Sequence, residues 1–343
     1  MPTRPELSIV IVTHNSPEWT ARCLDALAGD GAPAVPFEVV VVDSGSRPEA
    51  REALRARSRQ ARVVLVDGNI GFGRGCNAGV RHSRGRQLLL LNPDAIALPG
   101  SIDAMLGFAA THPEHGIVGG RTLRPDGSTD PSSCWGRPTL WSLACFATGL
   151  TAVAKRSRVF DPESLGRWER DTVREVDIVT GCLLLTTREL YERLGGFDPR
   201  YFMYGEDADL SLRARAAGWR PAITPAAAVV HAVGASSASL AGKHRLVLTG
   251  KATLARSHRG RPGAAVAVAL LTAGVGLRAL PERLGGTPDP SWLPVWRERA
   301  AWRRGFPAPS GEEPVVEVLD DRDPPVAGPV DGPVDARPGR VVR

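Results

Sequence analysis

The chain has 343 residues, of which 43% are hydrophobic and 23% charged, a composition typical of a globular protein with ample core. Its five cysteines are scattered and never spaced C-x-x-C, which excludes a zinc knuckle or disulfide framework and favours a reducing compartment. The net charge is +6, but no recognised nucleic-acid motif accompanies the basic residues, so we expect no nucleic-acid partner.

The N-terminal part of the chain alternates strand and helix patterns. Its first apolar run is too short for a secretory signal, so we interpret it as a strand and expect a cytoplasmic protein. The predicted strands are residues 7–15, 37–46, 61–69 and 86–95, and the predicted helices are 17–27, 49–58 and one that follows a glycine-rich turn. Repeated β-α units with apolar strands predict an α/β fold with a mostly parallel sheet flanked by helices.

Polar residues stand at the end of each of these four strands. They are Asn15, Asp43, Asn69 and Asp94. Because ligand groups collect at the carboxyl ends of parallel strands, this recurrence predicts a binding site at one edge of the sheet.

Asp43 closes the second strand in the sequence VVVDSGS. A carboxylate there can accept hydrogen bonds from a uracil or thymine N–H or from a ribose hydroxyl, with Ser44 beside it. The same residues would also suit a simple strand-end turn.

The glycine-rich segment NIGFGRGCNAG does not have the G-x-G-x-x-G spacing of dinucleotide-binding folds. We therefore expect its glycines to allow close packing of a helix on the sheet. The two asparagines that flank the turn, Asn69 and Asn77, are better candidates for contacting a ligand. The glycines are Gly71, Gly73, Gly75 and Gly79.

The fourth strand ends in Asn92-Pro93-Asp94. A hard divalent cation that bridges a diphosphate needs carboxylate oxygen ligands, and Asp94 is placed to supply one. Because single Asn-Pro-Asp tripeptides also form ordinary turns, the metal hypothesis needs further ligands elsewhere in the chain.

Three acids, Glu206, Asp207 and Asp209, crowd into four residues at a predicted helix start. One acid would satisfy the helix dipole, whereas three repel one another, so this cluster indicates a functional carboxylate. Further on, His231 ends an apolar run, where a histidine serves either as a structural residue or as a ligand.

The C-terminal part divides by charge. Residues 241–306 carry twelve Lys or Arg against three Asp or Glu and are predicted to be helical, whereas residues 307–343 are rich in Pro and Asp and predicted to be disordered. Residues 264–277 are uncharged but shorter than a membrane span, and either contact an anionic membrane surface or pack on the preceding domain. The side chains expected to reach lipid are Leu270, Leu271 and Val275.

Taken in order, these segments resemble glycosyltransferase family 2 with the GT-A fold, and most closely its bacterial rhamnosyltransferases acting on polyprenyl-linked acceptors. The resemblance covers residues 7–260, and implies a GT-A catalytic domain over residues 1–240. The segments that carry it are SIVIVTHN, VVVDSGS, NIGFGRGCNAG, LLLNPDA, GSIDAML, TGCLLL, GGFDPRYFMYGEDADL and VVH.

The resemblance implies a role for each strand-end residue. Asp43 would contact the base or ribose, Asp94 and His231 would hold Mg²⁺ or Mn²⁺ on the donor diphosphate, and Asp207 would be the catalytic base. Asn92 stands where the family's D-x-D motif has its first aspartate, which puts metal affinity in question. The other donor-binding candidates are Thr13, Asn15, Ser44, Asn69, Asn77 and Asn92, and the acceptor-side or supporting candidates are Glu206 and Asp209.

The function implied is inverting transfer of a sugar, rhamnose from dTDP-rhamnose, to a lipid-linked or polysaccharide acceptor in cell-envelope glycan synthesis. The enzyme would lie peripherally on the inner face of the cell membrane. Two other classes share parts of the pattern. A sugar nucleotidyltransferase would want a basic, glycine-rich loop after the first strand, which THNSPEWT does not provide, and a noncatalytic nucleotide-binding protein would not need the acid cluster.

Overall fold

A computed structural model describes residues 4–231, 239–285, 290–309 and 315–320. The strands are β1 Leu7–Thr13, β2 Phe37–Ser44, β3 Arg62–Val66, β4 Gln87–Leu91, β5 Ala95–Ala97, β6 Ile117–Leu123, β7 Thr129–Asp130, β8 Cys134–Trp135, β9 Arg174–Glu175, β10 Ile178–Val179, β11 Leu183–Thr187, β12 Ala222–His231 and β13 Val315–Leu319. The α-helices are α1 Pro17–Ala28, α2 Pro48–Arg55, α3 Phe72–Arg81, α4 Ser101–Thr111, α5 Leu140–Ala147, α6 Leu150–Val153, α7 Arg188–Arg193, α8 Glu206–Ala216, α9 Leu240–His258, α10 Arg261–Gly285, α11 Trp292–Arg297 and α12 Arg299–Trp302.

One large sheet organises the molecule. Its strand order is β13-β3-β2-β1-β4-β11-β6-β12-β5, with β7 beside β6 and β9 beside β12. β3, β2, β1 and β4 run parallel, as do β6 and β12, whereas β11 runs antiparallel between β4 and β6. The central strands are apolar runs buried on both sides, as strands covered by helices must be. The predicted mostly parallel α/β sheet is confirmed.

The predicted fourth strand is in fact two strands. β4 ends at Leu91, the N–H of Ala95 donates to the carbonyl of Asn92 across a turn at 3.1 Å, and β5 then pairs antiparallel with β12. Pro93 has no N–H to continue the ladder of β4, which is why the strand stops there. Because Ala95 pairs with His231, the turn brings residue 94 beside the end of β12.

Helices cover both faces of the sheet. On one face, α1 and α4 contribute Cys23, Leu27 and Met105 to a core with β1, β2 and β4. On the other face, α3, α7 and α8 contribute Ala78 and Leu210 to a second core. The site at the strand ends is therefore held by elements packed on two sides.

The predicted helical region after residue 240 consists of α9 to α12. With α5 it forms a third apolar cluster, which includes Leu143, Leu248, Leu271 and Trp302. α9 also packs on α8, since Leu254 lies in a small cluster with Ala208. The helices are thus attached to the helix that carries the acid cluster.

The prediction that residues 307–343 are disordered is wrong at β13. This strand pairs antiparallel with β3 at the edge of the sheet. Glu317 accepts from Arg55 at 2.8 Å, and Asp320 lies 2.8 Å from Arg62. Composition concealed the strand because Pro and Asp flank the short β-branched sequence VVEVL. Residues 310–314 and 321–343 lie outside the described residues.

Ending the chain after Phe306 should lower the free energy of unfolding by about 1–2 kcal/mol. β3 would keep β2 but lose β13 and become the edge of the sheet, and Arg55 and Arg62 would lose their carboxylate partners. A chain ending after Asp320, which keeps β13, is the matched control. Urea denaturation of the two truncated proteins measures the difference, and equal stabilities would show that β13 does not support the fold.

Candidate functional site

Asp43 lies at the end of β2, fully buried. Its Oδ2 accepts from Nε of Arg51 at 3.0 Å and from the N–H of Ser46 at 3.2 Å. Its Oδ1 has no hydrogen-bond partner among the described residues. A buried carboxylate oxygen without a donor is costly, so this geometry supplies one acceptor that a ligand N–H or O–H can satisfy.

Ser44 and Asn69 connect the ends of β2 and β3. The hydroxyl of Ser44 donates to Oδ1 of Asn69 at 3.2 Å and accepts from the N–H of Ile70 at 2.9 Å. Oδ1 of Asn69 also accepts from the N–H of Gly71. These two predicted donor-binding residues therefore lie together and beside Asp43.

Thr13 and Asn15 brace the end of β1. Asn15 has a positive φ of 52°, its N–H donates to Oγ of Ser46, and its Oδ1 accepts from the N–H of Arg47 at 2.8 Å. The buried hydroxyl of Thr13 accepts from Thr20 on α1. Both residues lie at the predicted edge of the sheet, and their contact with a donor stays a prediction.

Both ends of the Asn77 amide are paired within the protein. Its Oδ1 accepts from the hydroxyl of Tyr191 at 2.6 Å and from the N–H of Phe197, and its Nδ2 donates to the carbonyl of Phe197 at 2.8 Å. The amide is therefore used to hold α3 against the Gly196 turn. Asn77 therefore has a structural role, and its contact with a donor stays a prediction.

The glycines of the turn are structural, as predicted. Gly71 has φ 82°, and a Cβ there would lie 1.9 Å from the carbonyl oxygen of Phe202. At Gly75 a Cβ would lie 2.6 Å from Val12, so the glycine lets α3 approach β1. The close approach at Gly71 is what brings the segment before α8 against the start of α3.

Asp94, His231 and Asn92 converge at the turn between β4 and β5. Nε2 of His231 lies 3.2 Å from Oδ1 of Asp94 and 3.4 Å from Nδ2 of Asn92. On its other side, Nδ1 lies 3.7 Å from Oδ2 of Asp130. Burial alone would lower the pKa of His231, but the carboxylates of Asp130 and Asp94 raise it to about 12.

Asp207 lies in the first turn of α8. Its Oδ1 accepts from the N–H of Ala208 at 2.7 Å, and its Oδ2 accepts from the N–H of Gly181 at 3.2 Å. Burial raises the pKa of Asp207, while these N–H groups oppose the rise. The arrangement gives a carboxylate that is more basic than usual and fixed in orientation.

Glu206 is buried next to Asp207, and its Oε2 has no partner within the described part of the chain. Burial first, and the charge of Asp207 second, raise the pKa of Glu206 to about 8. At neutral pH the pair therefore carries its negative charge mainly on Asp207.

Asp207 is connected to the Asp94–His231 pair through the segment that leads into β11. Gly181 donates to Asp207, and the carbonyl of the next residue, Cys182, accepts from the N–H of Asn92 at 3.0 Å. Asn92 in turn lies beside His231. Asp207 and the turn that carries Asp94 are thus both bonded to residues 181–182, and their shared role in a site stays a prediction.

Asp209 does not face this site. Its Oδ2 accepts from Arg213 at 2.7 Å, and its Oδ1 lies 2.7 Å from Nε2 of His258 on α9. Asp209, a supporting candidate from the sequence, is therefore paired with Arg213 and His258. Its role is to join α8 to α9.

Sequence reasoning missed Asp130 and Arg51. Asp130 lies between β7 and a short 3₁₀ turn, and nothing in its local sequence distinguishes it from a turn residue that caps Ser132. Arg51 lies one turn into α2, eight residues after Asp43. Only the predicted proximity of the β2 end to α2 could have suggested that ion pair.

The fold and this site define a glycosyltransferase with the GT-A fold. The sequence profile of the family described as glycosyl transferase family 2 matches residues 8–160. The chain is 32% identical over 239 residues to the N-acetylglucosaminyl-diphospho-decaprenol L-rhamnosyltransferase of Mycobacterium tuberculosis, an alignment covering 66% of this chain and 75% of that protein. The chain belongs to glycosyl transferase family 2.

Other similarities agree with this family. The chain is 26% identical over 235 residues to the O-antigen biosynthesis protein RfbC of Myxococcus xanthus, covering 68% of this chain and 18% of that protein. Among solved structures, the mannosyltransferase PcManGT from Pyrobaculum calidifontis, in complex with GDP-Man and Mn²⁺, superposes with a TM-score of 0.51 and 21% identity, covering 88% of this chain and 84% of that chain. The S. aureus TarS 1–349 complex with UDP-GlcNAc gives a TM-score of 0.50 and 15% identity, covering 86% of this chain and 79% of that chain.

Glu206→Gln should raise the free energy of unfolding, and the gain should grow as the pH rises from about 5 to 8. In that range the folded wild type holds a proton on Glu206 that the unfolded chain has released, so wild-type stability falls as the pH rises through the raised pKa. We expect a gain of about 1 kcal/mol or more at pH 8.

Urea denaturation at several pH values measures this difference, with Glu49→Gln on exposed α2 as the control. A constant difference across the pH range would contradict the raised pKa of Glu206.

Proposed function

We propose that this glycosyltransferase moves rhamnose from dTDP-rhamnose, with inversion, to an N-acetylglucosaminyl-diphospho-polyprenol acceptor. The observation that carries the proposal is the hydrogen-bonded connection from Asp207 through Gly181 and Cys182 to Asn92, Asp94 and His231. The similarity to the M. tuberculosis rhamnosyltransferase supports the acceptor and the sugar.

The environment of Asp43 supports a sugar donor whose nucleotide base is thymine or uracil. Arg51 and the N–H of Ser46 occupy Oδ2, which leaves Oδ1 as a single acceptor. A thymine or uracil ring offers one imide N–H between two carbonyls and so matches one acceptor. Guanine offers two adjacent hydrogen-bond donors, its ring N–H and its amino group, and Oδ1 of Asp43 could accept from only one of them. Arg51 also donates to the carbonyl of Val66 at 2.6 Å, which fixes the carboxylate from the β3 side.

The residues present fit a divalent cation on the donor diphosphate. That cation would take the place of the proton that Asp130 and Asp94 otherwise stabilise on His231. Within the described residues no group of three or more His, Cys, Asp or Glu side chains is arranged to hold a metal. Asp94 and His231 nevertheless lie with their ligand atoms 3.2 Å apart, and Mg²⁺ commonly takes only one or two protein carboxylates beside substrate phosphates. Asp130 lies 3.7 Å behind Nδ1, which is too far for a hydrogen bond, and adds negative charge beside the histidine.

Asp94 and His231 would hold Mg²⁺ or Mn²⁺, which supplies positive charge against the departing diphosphate. Asp207 accepts the proton of the acceptor hydroxyl as that oxygen bonds to the anomeric carbon. The bond from the anomeric carbon to the diphosphate oxygen breaks on the opposite face, and the electron pair leaves with the nucleotide diphosphate. One displacement inverts the configuration, and the protonated Glu206 leaves Asp207 as the charged base.

The donor and acceptor place the chemistry at the cytoplasmic face of the membrane. Of the described helices, one, α10, is long and apolar enough to cross a bilayer by length and composition. We propose a peripheral location, because α10 shares a packed cluster with α5, α9 and α11.

Asp207→Asn should reduce kcat by 10²–10⁴-fold, because the proton acceptor is lost while the donor contacts remain. Transfer of rhamnose from dTDP-rhamnose to a polyprenyl-diphosphate N-acetylglucosamine measures the rate, and calorimetry with dTDP measures donor binding. Asp171→Asn, a change of an exposed carboxylate, is the matched control. Near-normal transfer by Asp207→Asn would assign the base elsewhere.

Asp94→Ala and His231→Ala should each weaken metal-dependent donor binding, with partial recovery at excess Mg²⁺ or Mn²⁺, because each removes one of two protein ligands. Calorimetric titration of dTDP with and without metal tests this, with His112→Ala on the far side of α4 as control. If the wild type binds donor and transfers sugar equally well in chelator, the metal assignment fails for both residues.

A further inference from the structure

Residues 262–277 of helix α10 are uncharged and, apart from Thr272, apolar, but only one side of the helix is packed. Ala267, Leu271 and Val275 are buried against α5, α9 and α11. A helix that is apolar all round normally requires an apolar environment on every side. The residues that α10 exposes along the other side are Pro262, Val266, Ala269, Ala273, Leu277, Leu280 and Leu284.

The spacing of these exposed residues makes one continuous stripe. Steps of three and four residues from Val266 to Leu284 keep the side chains on a single face. Leu277, Leu280 and Leu284 are 46%, 50% and 78% exposed, which is far more than a protein core allows. The stripe therefore lacks a cover in the described chain.

Helix α6 extends this stripe sideways. A Cβ on Gly149 would lie 3.2 Å from the side chain of Leu277, so the start of α6 adjoins the C-terminal half of α10. Arg278 fixes this contact by donating to the hydroxyl of Thr151 at 3.0 Å. On α6, Leu150 and Val153 are exposed, Val153 at 87%. We call the exposed stripe of α10 together with these two residues the α6–α10 surface.

Basic residues border the α6–α10 surface. Arg261 begins α10, Arg283 lies near its end, and Lys155 follows α6, and all three are exposed. The nearby acid, Glu282, is turned inward, where it accepts from the N–H groups of Trp292 and Leu293 at the start of α11. The border is therefore positive, in a segment with twelve basic and three acidic residues.

We propose that the α6–α10 surface docks on an anionic lipid bilayer, with α10 lying in the plane of the interface. Apolar side chains would enter the acyl boundary, and the basic border would meet anionic headgroups. A second copy of the chain is disfavoured because it would bring two basic segments together. A spanning arrangement is disfavoured because it would separate Leu271 and Val275 from their cluster.

The side chains that reach lipid are not those predicted from the sequence. Leu271 is 1% exposed and Val275 is fully buried, and Leu270 is partly buried against the same cluster. Composition identified an apolar helix but could not say which face the protein itself covers. The alternative that these side chains pack on the protein is the correct one.

Vesicle co-sedimentation of the full chain, without donor, tests the proposal. We expect binding to vesicles that contain phosphatidylglycerol, weaker binding to pure phosphatidylcholine, and partial release at high salt. Leu280→Ser with Leu284→Ser should lower the partition coefficient about tenfold or more at either salt concentration. Lys155→Gln with Arg283→Gln should lower it at low salt only.

The control is Val173→Ser with Val316→Ser, which changes two exposed valines away from this surface. Unchanged melting temperatures would show that each variant is folded. The proposal would be overturned if the wild type bound vesicles no better than the Leu280→Ser, Leu284→Ser variant, or if the wild type did not bind at low salt. Resistance of the bound protein to alkaline extraction would show that α10 spans the membrane, which would overturn the proposal. A wild-type dimer that binds no vesicles and dissociates in the Leu280→Ser, Leu284→Ser variant would show that a second copy covers the surface, which would also overturn the proposal.

Membrane docking does not depend on the proposed function. Only the reason for docking, which is to hold the site at a lipid-linked acceptor, rests on the proposed function. The Leu280→Ser, Leu284→Ser variant should therefore transfer sugar more slowly to a long polyprenyl acceptor and at an unchanged rate to a short, soluble acceptor analogue. If the wild type transfers to neither acceptor yet binds vesicles, the proposed function fails and the docking surface stands.

Discussion

The turn at Asn92-Pro93-Asp94 is the constraint on which the site depends. Because proline ends the ladder of β4, the chain folds back into β5 and pairs with the last residues of β12. That pairing places Asp94 beside His231, 137 positions later in the chain, and Asn92 beside both. Without the turn, β4 would continue and its carboxylate would lie away from the histidine. A short backbone feature therefore creates a place where a carboxylate and an imidazole lie 3.2 Å apart at the edge of the sheet.

Helix α8, which carries the proposed base, is held from both sides of its N-terminus. On the sheet side, Gly181 donates to Asp207. On the other side, α9 packs so closely that a Cβ on Gly250 would lie 2.0 Å from the carbonyl oxygen of Tyr204, and His258 pairs with Asp209. Helix α8 is thus fixed to the helices that carry the α6–α10 surface. Docking on a bilayer would therefore fix the position of Asp207 relative to the lipid.

Much of the fold could be predicted from local patterns, because each signal arises within a few residues. Apolar β-branched runs that end in a polar residue gave the central strands and the edge where Asp43, Asn69 and Asp94 stand. The glycines at 71 and 75 could be assigned to packing because their spacing excluded a dinucleotide loop. These predictions needed no knowledge of which distant residues are neighbours.

The features that sequence patterns did not show share one physical cause, which is that they depend on tertiary partners. Asn77 and Asp209 have the right chemistry for ligands, but Tyr191 and His258 reach them from elsewhere in the chain. Asp130 was missed for the same reason, since its significance comes from His231. Sequence patterns show the chemistry of a polar side chain but not which distant residues pair with it.

The pair Glu206 and Asp207 shows how burial divides two adjacent carboxylates into different roles. Both lie at the N-terminus of α8, where the helix dipole favours negative charge. Both carboxylate oxygens of Asp207 accept N–H groups, one from Gly181 and one from Ala208. Glu206 has a buried oxygen without a donor, so its neutral form is favoured. The proton is therefore favoured on Glu206, and the charge on Asp207, which accepts from Gly181 and Ala208. Burial makes Asp207 more basic and the N–H groups favour its ionised form, which is the state that the proposed removal of a hydroxyl proton requires.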